Sequence, residues 1–220
     1  MGLPALRHEL VVVAQASTWV GPISDVQRQG YRILHSRNLK QPIVVTETLS
    51  AVALENLSSR SRPKFTEDPD LSPDAQPSDT DFKGRRWSRG HLAAARNHAA
   101  NRAAFDETFY YGNISPQDPV LNAGAWSQLE QQARHLARVH EEVAVASGPL
   151  FLDRTIHRLA PNSSAIPTHF FKVIWHEDQV LQAYIVPNLP IPRGAGIERF
   201  AVSMNQVEKA SSLVFFPANS

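Results

Sequence analysis

The sequence predicts an α+β domain with a central, mostly antiparallel sheet flanked by helices. Four segments, residues 41–46, 143–147, 168–175 and 181–186, are rich in β-branched and aromatic residues and are bounded by proline, glycine or asparagine, which is typical of strands. A short, hairpin-like connection joins the last two, so we expect antiparallel pairing. Apolar residues at intervals of three and four from residue 122 to about 139 predict an amphipathic helix. Strands of this kind with helices between and outside them define the α+β class.

A second, shorter helix is predicted at Met204–Ser211. Residues 63–80, by contrast, contain recurring prolines among Asp and Ser, which predicts an extended and exposed loop. Such a loop is compatible with a linker between two domains. Because the part of the chain before it is too short to bury a good core, we favour a long loop within one domain.

Composition excludes several kinds of site. The chain has no cysteine, so disulfides and zinc sites built on thiolates are excluded, and any bound metal takes oxygen or nitrogen ligands. The longest apolar run, residues 10–14, is far shorter than the roughly 20 residues of a membrane-spanning helix, so no membrane partner is expected. The N-terminal segment matches neither a secretory signal nor a transit peptide clearly.

The net charge is only +1, but acidic and basic residues are concentrated in different segments of the chain. Residues 66–81 contain six acids and no bases, whereas residues 83–102 contain six bases and no acids. The basic segment is a candidate phosphate-binding face, although charge alone favours a solvated loop. Motifs in and after this segment decide between the two interpretations.

Three short motifs together point to phosphodiester chemistry. They read Ser-Arg-Gly-His over residues 88–91, Tyr-Gly-Asn-Ile-Ser-Pro-Gln over residues 111–117, and Leu-Asn-Ala-Gly-Ala-Trp over residues 121–126, followed by Glu130. Hydrolysis of a phosphodiester needs a base that deprotonates water, a cation on the scissile phosphate, and support for charge on its oxygens. The imidazole, guanidinium, amide and carboxylate groups of these motifs can supply all three.

In this order the motifs resemble those of the non-specific DNA/RNA endonucleases of the ββα-metal, or His-Me finger, type. That family reads Asp-Arg-Gly-His, then Asn-Ile-x-Pro-Gln, then Leu-Asn-x-Gly-x-Trp and a downstream Glu. The resemblance covers residues 31–217, and the Ser-Arg-Gly-His variant is closest to the mitochondrial exo/endonuclease G branch. It implies a single nuclease domain over residues 31–220, preceded by an N-terminal extension over residues 1–30.

The resemblance implies a role for each main motif residue. His91 would be the general base, in keeping with an imidazole that titrates near neutral pH. Asn122 would be the protein ligand of Mg²⁺, or of Mn²⁺ as a substitute, with waters completing the shell. Asn is also common as the N-cap of a helix, and the two roles are compatible. Glu130 follows about two helical turns later and would hold a water of that shell, or else be an exposed helix carboxylate.

Two further motif residues have implied catalytic roles. Arg89 would bind the scissile phosphate, or else form a surface salt bridge. Asn113 would orient or contact the site, or else serve as a turn residue. Ser88 replaces the Asp of the motif, which removes a carboxylate next to Arg89.

Substrate contacts are implied at Gln117 and at one upstream arginine, which is Arg60 or Arg62, with Arg60 favoured. DNA and RNA are the expected substrates, cut with little sequence preference to 5′-phosphate products. An inactive nuclease fold that binds nucleic acid is the alternative, and the joint presence of the catalytic residue types speaks against it. A hydrolase of small phosphoesters ranks last, because six clustered bases exceed what a monoester needs. The resemblance further implies a homodimer and mitochondrial residence, with a soluble cytoplasmic or exported protein as the alternative.

Overall fold

The computed structural model describes residues 11–13, 20–56, 61–153 and 155–215. The strands in this part of the chain are β1 (Val11–Val13), β2 (Ile23–Gln27), β3 (Tyr31–Ser36), β4 (Gln41–Ser50), β5 (Ser88–His91), β6 (Ile114–Gln117), β7 (Glu142–Leu150), β8 (His169–His176), β9 (Gln179–Pro187) and β10 (Leu213–Phe215). The α-helices are α1 (Ala51–Glu55), α2 (Asp79–Phe82), α3 (Arg102–Glu107), α4 (Pro119–Leu121), α5 (Ser127–Val139) and α6 (Met204–Ser211). A π-helical turn, Asn122–Trp126, joins α4 to α5.

The central sheet has the strand order β2-β3-β4-β7-β8-β9, and every neighbouring pair is antiparallel. The α+β prediction is therefore confirmed, and the four predicted strands lie almost entirely within β4, β7, β8 and β9. β2 lies on the N-terminal side of the predicted boundary at residue 31, so the sheet includes residues assigned to the extension.

Alternating side chains along β7 divide the core between the two faces of the sheet. Val143 and Val145 pack with Leu54 of α1 and Ala133 of α5 on one face. Ala144, one residue along, belongs to the cluster of the other face, which also holds Val207 of α6 and Phe215 of β10. This period of two is the geometry of a strand buried on both faces, and each fully buried valine contributes roughly 1.5–3 kcal/mol. None of the described helices is long and apolar enough to cross a membrane.

The predicted helix at residues 122–139 begins earlier than expected. Asp118 caps α4 by accepting hydrogen bonds from the backbone N–H groups of Val120 and Leu121. Asn122 already has helical dihedral angles and lies at the C-terminal end of α4, so the prediction that it is an N-cap is wrong. The helix is interrupted at Gly124, with φ −98° and ψ −110°, before α5 continues to Val139. The predicted helix Met204–Ser211 is confirmed as α6.

The loop at residues 63–80 is partly buried, which corrects the prediction that it is exposed. Asp68 is 1% exposed and forms an ion pair with Arg28, whose side chain is also buried. The Gln76 side chain closes the loop by bonding both the backbone N–H and the carbonyl of Asp68. A buried cation therefore draws this acidic loop against the domain, because a buried charge is costly unless it is paired.

His35 on β3 makes stability depend on pH. Its side chain is fully buried, and neither ring nitrogen has a hydrogen-bond partner in the described part of the chain. Burial lowers the pKa of His35 to about 3 from an ordinary value of 6.5. The unfolded chain binds this proton at a higher pH than the folded chain, so stability is full above pH 6.5 and is lost as the pH falls toward 3.

Proton uptake by His35 in the unfolded chain lowers the free energy of unfolding by roughly 2 kcal/mol at pH 5 relative to pH 7. We expect His35→Leu to reduce the loss of unfolding free energy between pH 7 and pH 5 by about that amount, because leucine has no proton to take up. Urea denaturation at the two pH values measures it. The matched control is His135→Leu at an exposed position, which should lose as much unfolding free energy between pH 7 and pH 5 as wild type does. Equal losses in His35→Leu and His135→Leu would contradict the prediction.

Candidate active site

A two-stranded hairpin and a helix together build the site. β5 and β6 pair antiparallel, with His91 opposite Ile114. The indole Nε1 of Trp126, in the π-helical turn before α5, donates to the carbonyl of His91 across 3.1 Å. The helix is thus fastened to the end of the strand that carries the histidine, which fixes both in one ββα unit.

The His91 ring is held between two aromatic side chains. Its centroid lies 5.5 Å from that of Phe65 and 5.0 Å from that of Phe109, the latter in an edge-on arrangement. Its Nε2 is buried without a hydrogen-bond partner in the described residues. Burial, with a smaller contribution from the charge of Arg62, lowers the pKa of His91 to about 4. The ring is therefore neutral near pH 7, which is the protonation state that a general base requires.

A cleft of about 430 Å³ brings together four of the predicted site residues, namely His91, Asn122, Glu130 and Arg62. Asn122 and Glu130 lie on one side of the helix, as their spacing of eight residues predicts. Burial raises the pKa of Glu130 to about 7, although the charges of Lys172 and Arg134 oppose the shift.

The donor set of this cleft fits Mg²⁺. The Asn122 side chain makes no hydrogen bond with any described residue, so its amide oxygen is available, and the Glu130 carboxylate lines the same cleft. Within the described residues no group of three or more His, Asp or Glu side chains forms a metal cage. Few protein ligands and hard oxygen donors suit an ion that retains several of its waters.

Asn113 and Gln117 are buried rather than directed at a substrate. The Asn113 side chain accepts from the N–H of Ala93 at 2.8 Å and donates to the carbonyls of Ala93 and Thr108 at 2.9 and 3.0 Å. All its polar atoms are used in fixing the chain next to His91, so the geometry favours the orienting role over direct contact.

The prediction that Gln117 binds substrate needs correction. Gln117 is 0% exposed, and a Cβ added to Gly90 would lie 2.2 Å from its Oε1. The glycine of the first motif therefore makes room for this side chain within the hairpin. Gln117 does not line the cleft, because its side chain points to the opposite face of the strands from His91.

Arg89 forms the salt bridge that the sequence offered as its alternative role. Its guanidinium pairs with Asp79 at 2.5 Å, and its Nε donates to the Tyr111 hydroxyl at 3.2 Å. Asp79 thus supplies a carboxylate partner that Ser88 does not. Arg89 is absent from the lining of the cleft, but Phe65 lies between it and His91.

Of the two candidate phosphate-binding arginines, only Arg62 lies within the described residues. Arg60 lies outside the described residues, so its assignment stays a prediction. Arg62 is exposed and lines the cleft beside His91. The basic segment itself is divided: Arg96 lines this cleft, whereas Arg102 pairs with Asp106.

Sequence reasoning missed Arg193, which lies far along the chain from the motifs. It lines the cleft, and its guanidinium donates to the Ser127 hydroxyl at 3.0 Å. Its place depends on Gly124, because a Cβ there would lie 2.2 Å from the carbonyl oxygen of Ile191 and 2.9 Å from the N of Arg193. The glycine of the third motif was the available signal of this close approach.

We expect Gly124→Ala to lower nuclease activity about tenfold and to destabilise the fold by roughly 1–3 kcal/mol, because the added methyl group forces residues 191–193 away from the cleft. Plasmid nicking and thermal unfolding measure the two effects. The comparison variant is Gly84→Ala, since a Cβ there meets nothing within 4 Å but the residue has φ +71°. That variant should lose stability without losing activity; an equal loss of activity in both would contradict the prediction.

Behind the cleft lies a buried cluster of charges. Glu47 is 2% exposed and accepts hydrogen bonds from the Asn97 amide, at 3.0 and 3.1 Å, while His98 Nε2 lies 2.9 Å from it. Arg134 donates to the Asn97 Oδ1 at 2.8 Å. Lys172 is also buried, and its ammonium lies 4.5 Å from the centre of the Trp126 ring. The cluster thus braces α5 against the sheet under Glu130.

Comparison with known proteins places the chain in a family. The family model for DNA/RNA non-specific endonuclease matches residues 16–219. The mitochondrial endonuclease G of Homo sapiens is 36% identical over 203 residues, which cover 86% of this chain and 68% of the relative. Nuclease C1 of Cunninghamella echinulata var. echinulata is 33% identical over 206 residues, 87% of this chain and 82% of the relative.

A second mitochondrial relative, nuclease EXOG of Homo sapiens, is 36% identical over 192 residues, 80% of this chain and 52% of the relative. The chain therefore spans about half of that protein. Among solved structures, the crystal structure of the EndoG/EndoGI complex matches with a TM-score of 0.82 and 30% identity, over 91% of this chain and 89% of that one. The fold is that of the ββα-metal nucleases. The chain belongs to the DNA/RNA non-specific endonuclease family, a family of metal-dependent nucleases, and is itself a nuclease.

Proposed function

We propose that this chain hydrolyses phosphodiester bonds of DNA and RNA with His91 as the general base and Asn122 as the protein ligand of Mg²⁺. The observation that carries the proposal is the convergence of His91, Asn122 and Glu130 on one cleft that arginines also line. A neutral base, oxygen donors for a hard cation and guanidinium groups for phosphate are what this hydrolysis requires.

Five residues of the cleft have a task in the reaction. A water oxygen bonds to phosphorus as its proton passes to the neutral His91 ring, and the bond from phosphorus to the 3′ oxygen breaks. That oxygen takes a proton from solvent water, which leaves a 5′-phosphate and a 3′-hydroxyl. Arg62 and Arg193 offset the charge that grows on the phosphate oxygens. Glu130 holds and orients water at the cleft. Mg²⁺ bound at Asn122 would supply electrophilic stabilisation of the phosphate.

Cleavage of covalently closed plasmid tests this function. We expect nicked and then linear product with Mg²⁺, no product with EDTA, and recovery when Mn²⁺ is added back. A circle has no ends, so its cleavage also establishes endonuclease action. Intact plasmid under all conditions, or cleavage that EDTA does not stop, would contradict the proposal.

Assembly is inferred from the family resemblance, and location from the relatives. We infer a homodimer, for which light scattering should give about twice the 24.4 kDa mass of one chain; a monomer mass at working concentration would contradict it. We also infer mitochondrial residence, because the endonuclease G and EXOG relatives are mitochondrial proteins. Fractionation of cells that express the natural protein tests that location.

A further inference from the structure

We propose that a second cleft, beside Arg86 and Trp87, binds the single strand of nucleic acid that leads away from the cleavage site. This inference rests on the proposed function, since it takes the strand cut at His91 as the ligand. The cleft has a volume of about 660 Å³, which lies in the range of small-molecule sites. It shares none of its described lining residues with the cleavage cleft.

A stacked cation and aromatic ring form the wall of this second cleft. The guanidinium of Arg86 lies 4.4 Å from the centre of the Trp87 ring, and Arg86 is exposed. Planar groups of this kind stack on the faces of unpaired bases and tolerate any base sequence. Bases in a duplex are already stacked on each other, so the wall favours a single strand.

The remainder of the lining supplies partners for a phosphate. His157, Arg158 and His169 surround the cleft, and Asp153 is the one carboxylate among its described lining residues. The Arg158 guanidinium is held by the carbonyls of Ser163 and Asn38 at 2.8 and 3.0 Å. A fixed cation next to a stacking surface matches the alternation of base and phosphate along a strand.

A path of aromatic and cationic side chains connects the two clefts. Trp87 directly precedes β5, and alternate residues of an extended strand share a face, so Trp87, Arg89 and His91 follow one another over roughly 13 Å. The Arg89 guanidinium lies 5.0 Å from the Phe82 ring and 5.6 Å from the Phe65 ring. Phe65 in turn contacts the His91 ring. A strand leaving His91 thus passes the ion pair of Arg89 and Asp79 before it reaches Trp87.

The test measures, by fluorescence anisotropy in EDTA, the Kd of wild type and of three variants for a labelled 12-nucleotide oligo(dT). We expect Arg86→Ala to weaken its Kd about tenfold, whereas Arg85→Ala, which removes the same charge one residue away, changes it less than twofold. Arg86→Lys should remain at least about threefold weaker than wild type, because lysine keeps the charge and loses the planar stack. Both arginines are exposed, so neither variant removes core packing.

Ligand length and strandedness sharpen the test. A thymidine dinucleotide, at about 3.4 Å per stacked nucleotide, is too short to occupy both clefts at once, so wild type should bind it markedly more weakly than the 12-mer. A 12-base-pair duplex should show no extra loss in Arg86→Ala over Arg85→Ala. Equal Kd values for the two alanine variants on oligo(dT), full recovery with Arg86→Lys, or an equal loss on the duplex would each overturn the site. Binding in EDTA requires no cleavage, so a wild-type protein that fails to nick plasmid refutes the proposed function separately.

Discussion

Replacement of His91 by alanine is expected to lower kcat/KM for plasmid cleavage about a thousandfold. General-base catalysis contributes roughly 10²–10⁴ in rate, and a methyl group cannot take the proton of the attacking water. The wild-type ring is neutral at pH 7 because its burial between Phe65 and Phe109 lowers its pKa to about 4. Initial rates at saturating Mg²⁺ measure the effect.

Controls for the His91 prediction separate catalysis from packing. His135 is exposed on α5, and His135→Ala should cut at the wild-type rate. His91→Gln fills more of the space between the two phenylalanines but has no basic nitrogen, so it should be as inactive as His91→Ala. If His91→Gln cut near the wild-type rate, His91 would not be the general base. That conclusion would hold whatever the melting temperatures of the two variants.

Asn122→Ala is expected to have the second-largest effect. It should weaken Mg²⁺ binding at least about tenfold by titration calorimetry and lower kcat/KM by about a hundredfold or more, because the cleft loses its available amide oxygen. Stability should change little, since Asp118, and not Asn122, caps the helix. Asn205→Ala, an exposed change on α6, is the matched control. A fall in melting temperature with unchanged metal affinity would instead make Asn122 a structural residue.

The sheet and the helix that carries Glu130 were predictable because their signals are local, whereas the meeting of His91 with this helix was implied by the family resemblance. Runs of β-branched and aromatic residues predict strands such as β8 and β9. The spacing of apolar residues predicts the helix that carries Glu130. Asn122 and Glu130 follow from that same helix, since residues eight apart share a side. These signals lie within a few turns of the chain.

What the sequence did not reveal depends on contacts between distant segments. Arg193 reaches the cleft because Gly124 lets residues 191–193 approach the helix backbone, and no local pattern around Arg193 shows this. Gln117 is polar, as many substrate-binding residues are, but the alternation of side chains along β6 places it on the face opposite to His91. The composition of its loop predicts a solvated Asp68, but the carboxylate is buried in an ion pair with Arg28. In each case the position of the side chain is decided by a partner more than 25 residues away.

The most direct test of the central claim, that the His91 ring is the base of this cleft, is chemical rescue. His91→Ala leaves a space between Phe65 and Phe109 that a free imidazole fits. Plasmid cleavage by His91→Ala should rise with the concentration of neutral imidazole and saturate, while Asn122→Ala should gain nothing from imidazole. A His91→Ala protein that cuts at the wild-type rate without imidazole, or that is folded, binds Mg²⁺ and gains nothing from imidazole, would contradict the account.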